Sequence, residues 1–211
     1  MKRDLFILLG LLVAGAVFFN SCAEDDPIDP YIELVGGDVE LQLGEEFEDP
    51  GYTTEGIADV QLLWNPEFDK HKVNHYVLTY VATDANVNAQ RNVYVKSDRL
   101  AGLYSVTDED DEGGSFDFEA SVVQSEQAFN RMFIQNFGNW EDIPNVVMEI
   151  IGDELIIEKQ ELWTEDEWVE ATGTYNGETR LIEQIEYTMV VLFEGEPETI
   201  SGVQTFHEKL K

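Results

Sequence analysis

Short runs of alternating apolar and polar residues, cut by turns that contain glycine, extend from residue 31 almost to the C-terminus. A period of two places successive side chains on opposite faces of an extended chain, so these runs predict antiparallel strands with one buried face. No run in residues 31–97 has helical periodicity. The pattern predicts an all-β fold. The predicted strands are 31–34, 39–43, 74–81, 92–95, 116–122, 129–137, 146–151, 155–160, 168–175, 185–193 and 202–207.

The runs form two groups, residues 31–97 and residues 98–211, which we expect to be two domains. The second group holds seven or eight strands in sequence, which predicts an up-and-down antiparallel barrel or sandwich. Gly152-Asp153-Glu154, between two of its runs, is typical of a tight hairpin.

Residues 5–19 differ from the rest because they are almost wholly apolar and follow Lys2 and Arg3. Fifteen residues are few for a bilayer span and match the apolar core of a signal peptide, which we place at 1–21. The run ends at Phe19-Asn20-Ser21-Cys22, which resembles the lipobox of bacterial lipoproteins. The resemblance implies that Cys22 is lipidated and anchors the protein to the outer membrane. An ordinary cleaved signal or an uncleaved anchor is the alternative.

The residues after Cys22 are acidic. Ala23-Glu24-Asp25-Asp26 resembles the export signal that sends Bacteroidetes lipoproteins to the outer face of the outer membrane. The resemblance implies a protein that faces the cell exterior. We place the lipidated cysteine and its acidic tether at residues 22–30. Alternatively, Glu24 to Pro30 is only a solvated tether, which Pro27 and Pro30 stiffen.

Two blocks in residues 31–97 carry a further resemblance. Phe47-Glu48-Asp49-Pro50-Gly51-Tyr52 follows Gly44, and Tyr76-Val77-Leu78-Thr79-Tyr80-Val81-Ala82-Thr83-Asp84 precedes Asn88 and the strand Val93-Tyr94-Val95. This order resembles the Ig-like domain of bacterial surface proteins, also found in some insecticidal crystal toxins. The resemblance implies an Ig-like β-sandwich that acts as a spacer or stalk.

The second group opens with Gly102-Leu103-Tyr104, a Gly-x-Tyr similar to the start of many lipocalin-like meanders. The segment 152–160, followed by Gly173-Thr174-Tyr175, is similar to C-terminal domains of small Bacteroidetes outer-membrane lipoproteins. The resemblance implies a lipocalin-like antiparallel β domain over residues 98–211.

The charge excludes one class of partner. The chain has 44 acidic and 12 basic residues, a formal net charge of −32, and 27 of the acids lie in residues 98–211. A chain with this net negative charge repels the phosphate groups of nucleic acids. We therefore expect no nucleic-acid partner.

Acidic runs raise the question of calcium. Asp108, Asp110, Asp111 and Glu112 belong to five consecutive acids before Gly113, and oxygen ligands at a turn suit Ca²⁺. Consecutive side chains point in different directions, however, so we keep them only as weak calcium candidates and favour a solvated hairpin tip. A second match, Asp84, Asn86 and Asn88, begins like an EF-hand loop but has Val95 where the bidentate glutamate belongs.

No other sequence pattern in the chain supports catalysis or metal binding. His71 and His75 would lie about 13 Å apart on one strand, too far to share zinc. His207 has no visible partner, and no nucleophile-elbow or phosphate-loop motif occurs. We therefore expect a non-enzyme without a cofactor or a bound metal.

Aromatic residues give the best binding hypothesis. Trp140, Trp163 and Trp168 fall in or beside predicted loops of the second domain, and Tyr175 joins them as a candidate ligand-binding residue. Exposed indoles stack on sugar rings while neighbouring carboxylates accept hydrogen bonds from hydroxyl groups. The alternative is that these tryptophans plug the ends of a barrel.

An architecture of this kind resembles the accessory proteins of outer-membrane glycan-uptake systems. The resemblance implies a lipid-anchored surface protein that binds glycans or oligosaccharides without catalysis, beside the transport proteins of such a system. A structural adhesin or protein-assembly module is the alternative. A carrier of a small apolar ligand inside the second domain is the third hypothesis.

Overall fold

The computed structural model of the protein describes residues 29–140 and 142–210, so the predicted signal peptide and Cys22 lie outside the described residues. Within these ranges the chain is all-β, as the alternating pattern predicts, with two 3₁₀ segments of three residues and no α-helix. The strands are β1 Tyr31–Leu34, β2 Val39–Gln42, β3 Tyr52–Glu55, β4 Gln61–Asn65, β5 Asn74–Ala82, β6 Val87–Lys96, β7 Gly102–Asp110, β8 Ser115–Gln124, β9 Arg131–Gln135, β10 Val146–Ile151, β11 Glu154–Glu161, β12 Trp168–Asn176, β13 Leu181–Phe193 and β14 Glu196–Lys209.

Strands β1 to β6 form the part that we call the N-terminal module, residues 31–96. Four strands form one sheet in the order β2-β6-β5-β4, and β1 pairs with β3 in a second, two-stranded sheet. Strand β2 runs parallel to β6, and the other pairs are antiparallel. Tyr76, Leu78 and Tyr80 are buried at alternate positions of β5, so this strand supplies one face of the core.

A buried arginine joins the two sheets of the N-terminal module. Arg91 on β6 is fully buried and donates to the carbonyl oxygens of Gly37, Val35 and Gly51 at 2.6 to 3.0 Å. It also donates to the Tyr80 hydroxyl, which itself donates to Asp49 at 2.6 Å. The buried Arg91 guanidinium and the Tyr80 hydroxyl therefore both have hydrogen-bond partners, and this network fixes the loop before β3 against β5 and β6.

Strands β7 to β14 close into an antiparallel barrel of eight strands, residues 102–209. Each strand pairs with its neighbours in the sequence, and β14 pairs with β7 to close the ring. This is the up-and-down connectivity that the sequence predicts. The interior is packed with side chains that are at most 4% exposed, among them Tyr104, Met132, Met148, Met189 and Phe206.

Several strand boundaries differ from the prediction; β6, for example, begins at Val87 rather than at residue 92. Strands β3 and β4 had no predicted counterpart, because their exposed sequences do not alternate. Strand β9 ends at Gln135 because Asn136 adopts a left-handed conformation, with φ of 61°, and turns the chain. Strand β14 has fourteen residues, although only 202–207 were predicted, because no residue of its first half is buried and the apolar alternation is therefore weak there.

The barrel has two different ends. The turns β8–β9, β10–β11 and β12–β13 lie at the end that meets the N-terminal module, which we call the junction end. The turns β7–β8, β11–β12 and β13–β14 and the connection β9–β10 lie at the opposite end, which we call the distal end. Buried apolar side chains form one continuous cluster from the N-terminal module through the junction into the barrel.

Candidate functional site

Three of the four predicted binding residues lie at the distal end. Trp140 follows the 3₁₀ segment Phe137–Asn139 in the connection from β9 to β10, Trp163 lies in the β11–β12 turn, and Trp168 begins β12. Antiparallel up-and-down topology brings these turns to one end of the barrel. The structure therefore groups residues that are 28 positions apart in the sequence.

Trp140 and Trp163 form an edge-to-face pair with ring centroids 6.3 Å apart. Trp140 packs against the barrel core, whereas Trp163 keeps 36% of its surface exposed. The indole N–H of Trp163 donates to the carbonyl oxygen of Asp142 at 3.0 Å, which fixes the orientation of the ring. The plugging role and the exposed platform, which the sequence offers as alternatives, thus fall on different members of one pair.

The backbone of the β9–β10 connection explains how Trp140 reaches the core. Asn136, Gly138, Asn139 and Asp142 all have positive φ values, between 56° and 65°. Glycine, asparagine and aspartate are the residues that adopt this region most readily, so the local sequence suits a tightly coiled plug. Phe137, in the same segment, is fully buried and meets Tyr187 edge to face at 5.4 Å between ring centroids.

The acidic residues around Trp163 are of two kinds: Glu167 is buried and hydrogen-bonded, and the others are exposed. Glu167 is buried, and its two carboxylate oxygens accept from the Thr164 hydroxyl at 3.0 Å and the Leu192 amide at 3.1 Å. Glu167 therefore holds the β11–β12 turn against the end of β13. Glu165 and Asp166 are exposed, so their carboxylates are free to accept hydrogen bonds from a ligand beside Trp163.

Trp168 occupies a different surface. Buried and more exposed residues alternate along β12, and Trp168 has the same phase as the exposed Glu170. Both side chains therefore lie on the outer face of the barrel. The ammonium group of Lys159 stands 3.7 Å from the centroid of the Trp168 ring, a cation–π contact that covers one ring face. Lys159 and Glu170 also line an outer groove of about 820 Å³ across β11 to β14 and β7, in which Lys159 is the one basic residue among six acids.

Tyr175 lies at the junction end, away from the three tryptophans. Its hydroxyl accepts from the Val73 amide at 2.8 Å and donates to the Gly152 carbonyl oxygen at 2.6 Å. Burial raises the pKa of Tyr175 far above its usual value, so the hydroxyl keeps its proton. The structure therefore assigns Tyr175 to the contact between the module and the barrel rather than to a ligand.

The calcium candidates are dispersed. Asp108 points into the barrel, Asp110 accepts from the amides of Glu112 and Gly114, and Asp111 accepts from the Ser201 amide. Asp108 and Asp110 are strand residues of β7, so the predicted hairpin tip begins later than expected, at Asp111. Within residues 29–140 and 142–210, no group of three or more acidic, histidine or cysteine side chains is arranged to hold a metal ion.

Asp108 anchors a polar cluster in the barrel interior. The Tyr187 hydroxyl donates to Asp108 at 3.0 Å, and the Gln204 amide donates to it at 3.2 Å. Burial raises the pKa of Asp108, and these two hydrogen bonds reduce the rise only partly. The oxygen of the fully buried Gln204 amide has no hydrogen-bond partner among the described atoms.

The other polar candidates have structural partners. His71 lies in the turn before β5 and contacts the Gly177 carbonyl oxygen, whereas His75 stacks on Tyr94. His207 contacts the Thr107 hydroxyl on the outer face of the barrel. Asp84 lies in the β5–β6 turn and accepts from the Ala58 amide.

Two residues that the sequence analysis missed join the distal end. Phe116 on β8 lies directly opposite Asp108, and Phe193 continues the inward-facing series of β13, yet they are 53% and 66% exposed. Both therefore project from the rim of the barrel. The sequence does contain one sign of these rim positions: each is an aromatic residue at an inward-facing position of a strand, immediately beside a turn. We call Phe116, Trp140, Trp163 and Phe193 the distal rim.

The two barrel ends also differ in charge. Among the described residues, each turn at the distal end contains an exposed acid; examples are Asp111, Glu112, Glu165 and Glu194. The basic residues lie mainly at the junction end. No described helix has the length and apolarity that a membrane crossing requires.

No family model matches this sequence, and no curated protein matches it.

Proposed function

We propose that the protein is a non-catalytic, lipid-anchored surface protein that binds glycans at the distal rim of its barrel. The observation that carries the proposal is Trp163, an exposed indole held in place by Trp140 and Asp142, beside the free carboxylates of Glu165 and Asp166. A rigid aromatic face with adjacent acceptors matches the apolar faces and hydroxyl groups of sugars.

The charge of the rim narrows the ligand class. Acidic turns surround the aromatic residues, and Lys159 is a cation of the outer face rather than of the rim. Anionic polysaccharides are repelled by such a surface, so the proposed ligands are neutral or cationic glycans.

The position of the rim supports a role at the cell surface. The described chain begins at residue 29 beside the N-terminal module, and the distal rim lies at the far end of the barrel from that module. A lipid on Cys22, a tether over 22–30, an Ig-like spacer and a lipocalin-like barrel would hold the rim away from the outer membrane. The Ig-like assignment is supported by Asp49 and Tyr80, one from each block of the sequence resemblance, which are hydrogen-bonded.

The carrier hypothesis is weaker than the glycan hypothesis. Side chains such as Tyr104, Met148 and Phe206 fill the middle of the barrel, where a lipocalin-like carrier keeps its ligand. The assembly hypothesis concerns a different surface, the open edge of β4.

Affinity electrophoresis tests the proposal. The full chain, in a mild non-ionic detergent, is run through gels that contain neutral, cationic or anionic polysaccharides, with and without Ca²⁺. We expect retardation by at least one neutral or cationic polysaccharide, independent of Ca²⁺, and at least a tenfold weaker interaction for Trp163→Ala.

Trp168→Ala separates the rim from the outer groove. Retardation that survives Trp168→Ala and disappears with Trp163→Ala places the ligand on the rim. Loss with Trp168→Ala alone would move the site to the outer face. A chain that no polysaccharide retards, or that anionic polysaccharides retard most, would contradict the proposed function.

A further inference from the structure

Strand β4 is an open edge of the four-stranded sheet. The sheet order is β2-β6-β5-β4, so β4 pairs with β5 on one side and with no described strand on the other. Its outer backbone N–H and C=O groups are therefore available to a further strand. Four of the five residues of Gln61–Asn65 are exposed, and only Trp64 is packed, against Phe47 and Phe68.

The core face of the sheet is incompletely covered at this edge. Leu62 lies directly opposite Tyr80 in the antiparallel register, so both side chains are on the same face. Tyr80 is fully buried, but Leu62 is 48% exposed. Leu63, on the opposite face, is 52% exposed. An additional strand beside β4 would extend the sheet and shield an apolar side chain on each face.

The charges around β4 indicate what kind of strand fits. Strand β4 has no charged residue, whereas exposed Asp59 and Glu67 flank its two ends. A second copy of the chain pairing antiparallel about Leu63 would place Asp59 of one copy opposite Glu67 of the other. Like charges opposite each other destabilise strand pairing, and each chain carries a net charge of −32. A strand with basic ends lacks this repulsion.

We propose that the edge of β4 is a docking site for an extended segment of another protein, with apolar residues at alternate positions and basic residues at both ends. Backbone hydrogen bonds to β4 supply the pairing, as in other cases of β-strand addition. The apolar residues cover Leu62, and the basic ends meet Asp59 and Glu67. This site is independent of the distal rim, so a partner protein and a glycan can bind the same molecule.

Synthetic peptides test this site on the full chain in detergent. The probe is dansyl-labelled Lys-Val-Thr-Val-Thr-Val-Thr-Val-Lys, whose nine residues match the nine positions from Asp59 to Glu67, and its binding is measured by fluorescence anisotropy. One control peptide has glutamate at both ends, and another has methylated amide nitrogens at alternate residues. We expect the lysine-ended peptide to bind at least ten times more tightly than either control, because each control removes one of the two proposed interactions.

Leu63→Lys is the test variant, because a lysine on an edge strand opposes pairing without a change in the backbone. Leu103→Lys is the matched control, since Leu103 is 39% exposed on β7, which has a paired strand on both sides. We expect Leu63→Lys to weaken peptide binding at least tenfold and Leu103→Lys to leave it unchanged. Thermal melts of both variants verify that the fold is kept.

Other outcomes overturn the proposal. Equal binding of the glutamate-ended peptide would contradict the charge selection, and equal binding of the methylated peptide would contradict strand pairing. Sedimentation that shows dimers of the parent chain, lost in Leu63→Lys, would assign the edge to self-association. Absence of both peptide binding and dimers would show that the edge is not a docking site.

Discussion

The two ends of the barrel differ in what their turns contact: one end packs against the N-terminal module, and the other is exposed to solvent. At the junction end, turns of the barrel contact the N-terminal module through backbone pairing between Val73 and Gly152, the buried Tyr175 hydroxyl and the ion pair of Lys72 with Asp153. At the distal end, aromatic side chains project from the rim and most neighbouring carboxylates remain exposed. Hydrogen bonds and an ion pair thus join the two parts at the junction end, whereas the distal end presents exposed carboxylates such as Glu165 and Asp166.

This difference shows why the same residue type has different meanings at the two ends. Tyr175 and Trp163 are both aromatic residues beside a turn, and the sequence offers no distinction between them. The Tyr175 hydroxyl has two backbone partners from the junction, whereas Trp163 is 36% exposed. We expect substitutions at the junction end to lower stability and substitutions at the distal rim to lower binding.

The largest loss of stability is expected for Gly177→Ala at the junction end. A Cβ atom at Gly177 would overlap the carbonyl oxygen of His71, which belongs to the backbone and has little freedom to move. We expect a loss of about 3 kcal/mol, seen as a fall in Tm of roughly 6 to 12 °C. Gly37→Ala is the control, because nothing lies near its Cβ position. Equal melting of the two variants would contradict a close junction.

Tyr175→Phe should have the next largest effect. It removes one hydroxyl and leaves the Val73 amide and the Gly152 carbonyl oxygen without their partner. We expect a loss of about 2 kcal/mol in the free energy of unfolding, measured by urea titration. Tyr31→Phe, at an exposed tyrosine, serves as the control. The variant should keep its glycan retardation, and a loss of retardation without destabilisation would return Tyr175 to the binding site.

Asp108→Asn should raise the free energy of unfolding rather than lower it, because Asp108 is an acid buried in the distal half of the barrel. Burial raises the pKa of Asp108, and nearby Asp110 adds to the rise. The folded state therefore holds the proton more tightly than the unfolded chain, and the contribution of Asp108 to stability falls as the pH rises from the usual aspartate pKa through the raised value.

At pH 8 we therefore expect Asp108→Asn to be more stable than the parent by about 1 kcal/mol, the size of one buried polar interaction. The advantage should disappear at a pH below the usual aspartate pKa, where both forms are neutral. Melting curves of the two proteins across pH measure this difference. Asp166→Asn, at an exposed acid, should show no such change, and a constant advantage at every pH would contradict the role of the proton.

The sequence predicts much of the fold because the barrel strands alternate regularly. Strands such as β8 and β13 have one buried face, so their periodicity is visible without a structure. Strands β3 and β4 lie at sheet edges with most residues exposed, and their sequences therefore lack that signal. Closure of the barrel depends on pairing between β14 and β7, which no local pattern reveals.

The candidate site was only partly predictable for a similar reason. Trp140, Trp163 and Trp168 stand out as rare residues near turns, but their grouping needs the strand order. Phe193 has the inward phase of its strand, so the sequence alone favours a core position for it. Its exposure follows from the strand extending beyond the packed interior, which only the structure shows.

The most direct test of the central claim compares exposed apolar residues at the two ends. Phe193 on the distal rim and Ile151 at the junction end are 66% and 56% exposed, so their replacement by alanine removes a similar apolar surface. The measurement is retardation by the polysaccharide that slows the parent chain most. We predict that Phe193→Ala reduces retardation at least several-fold and Ile151→Ala leaves it unchanged. Equal retardation of both variants, or a loss confined to Ile151→Ala, would contradict a binding site at the distal end.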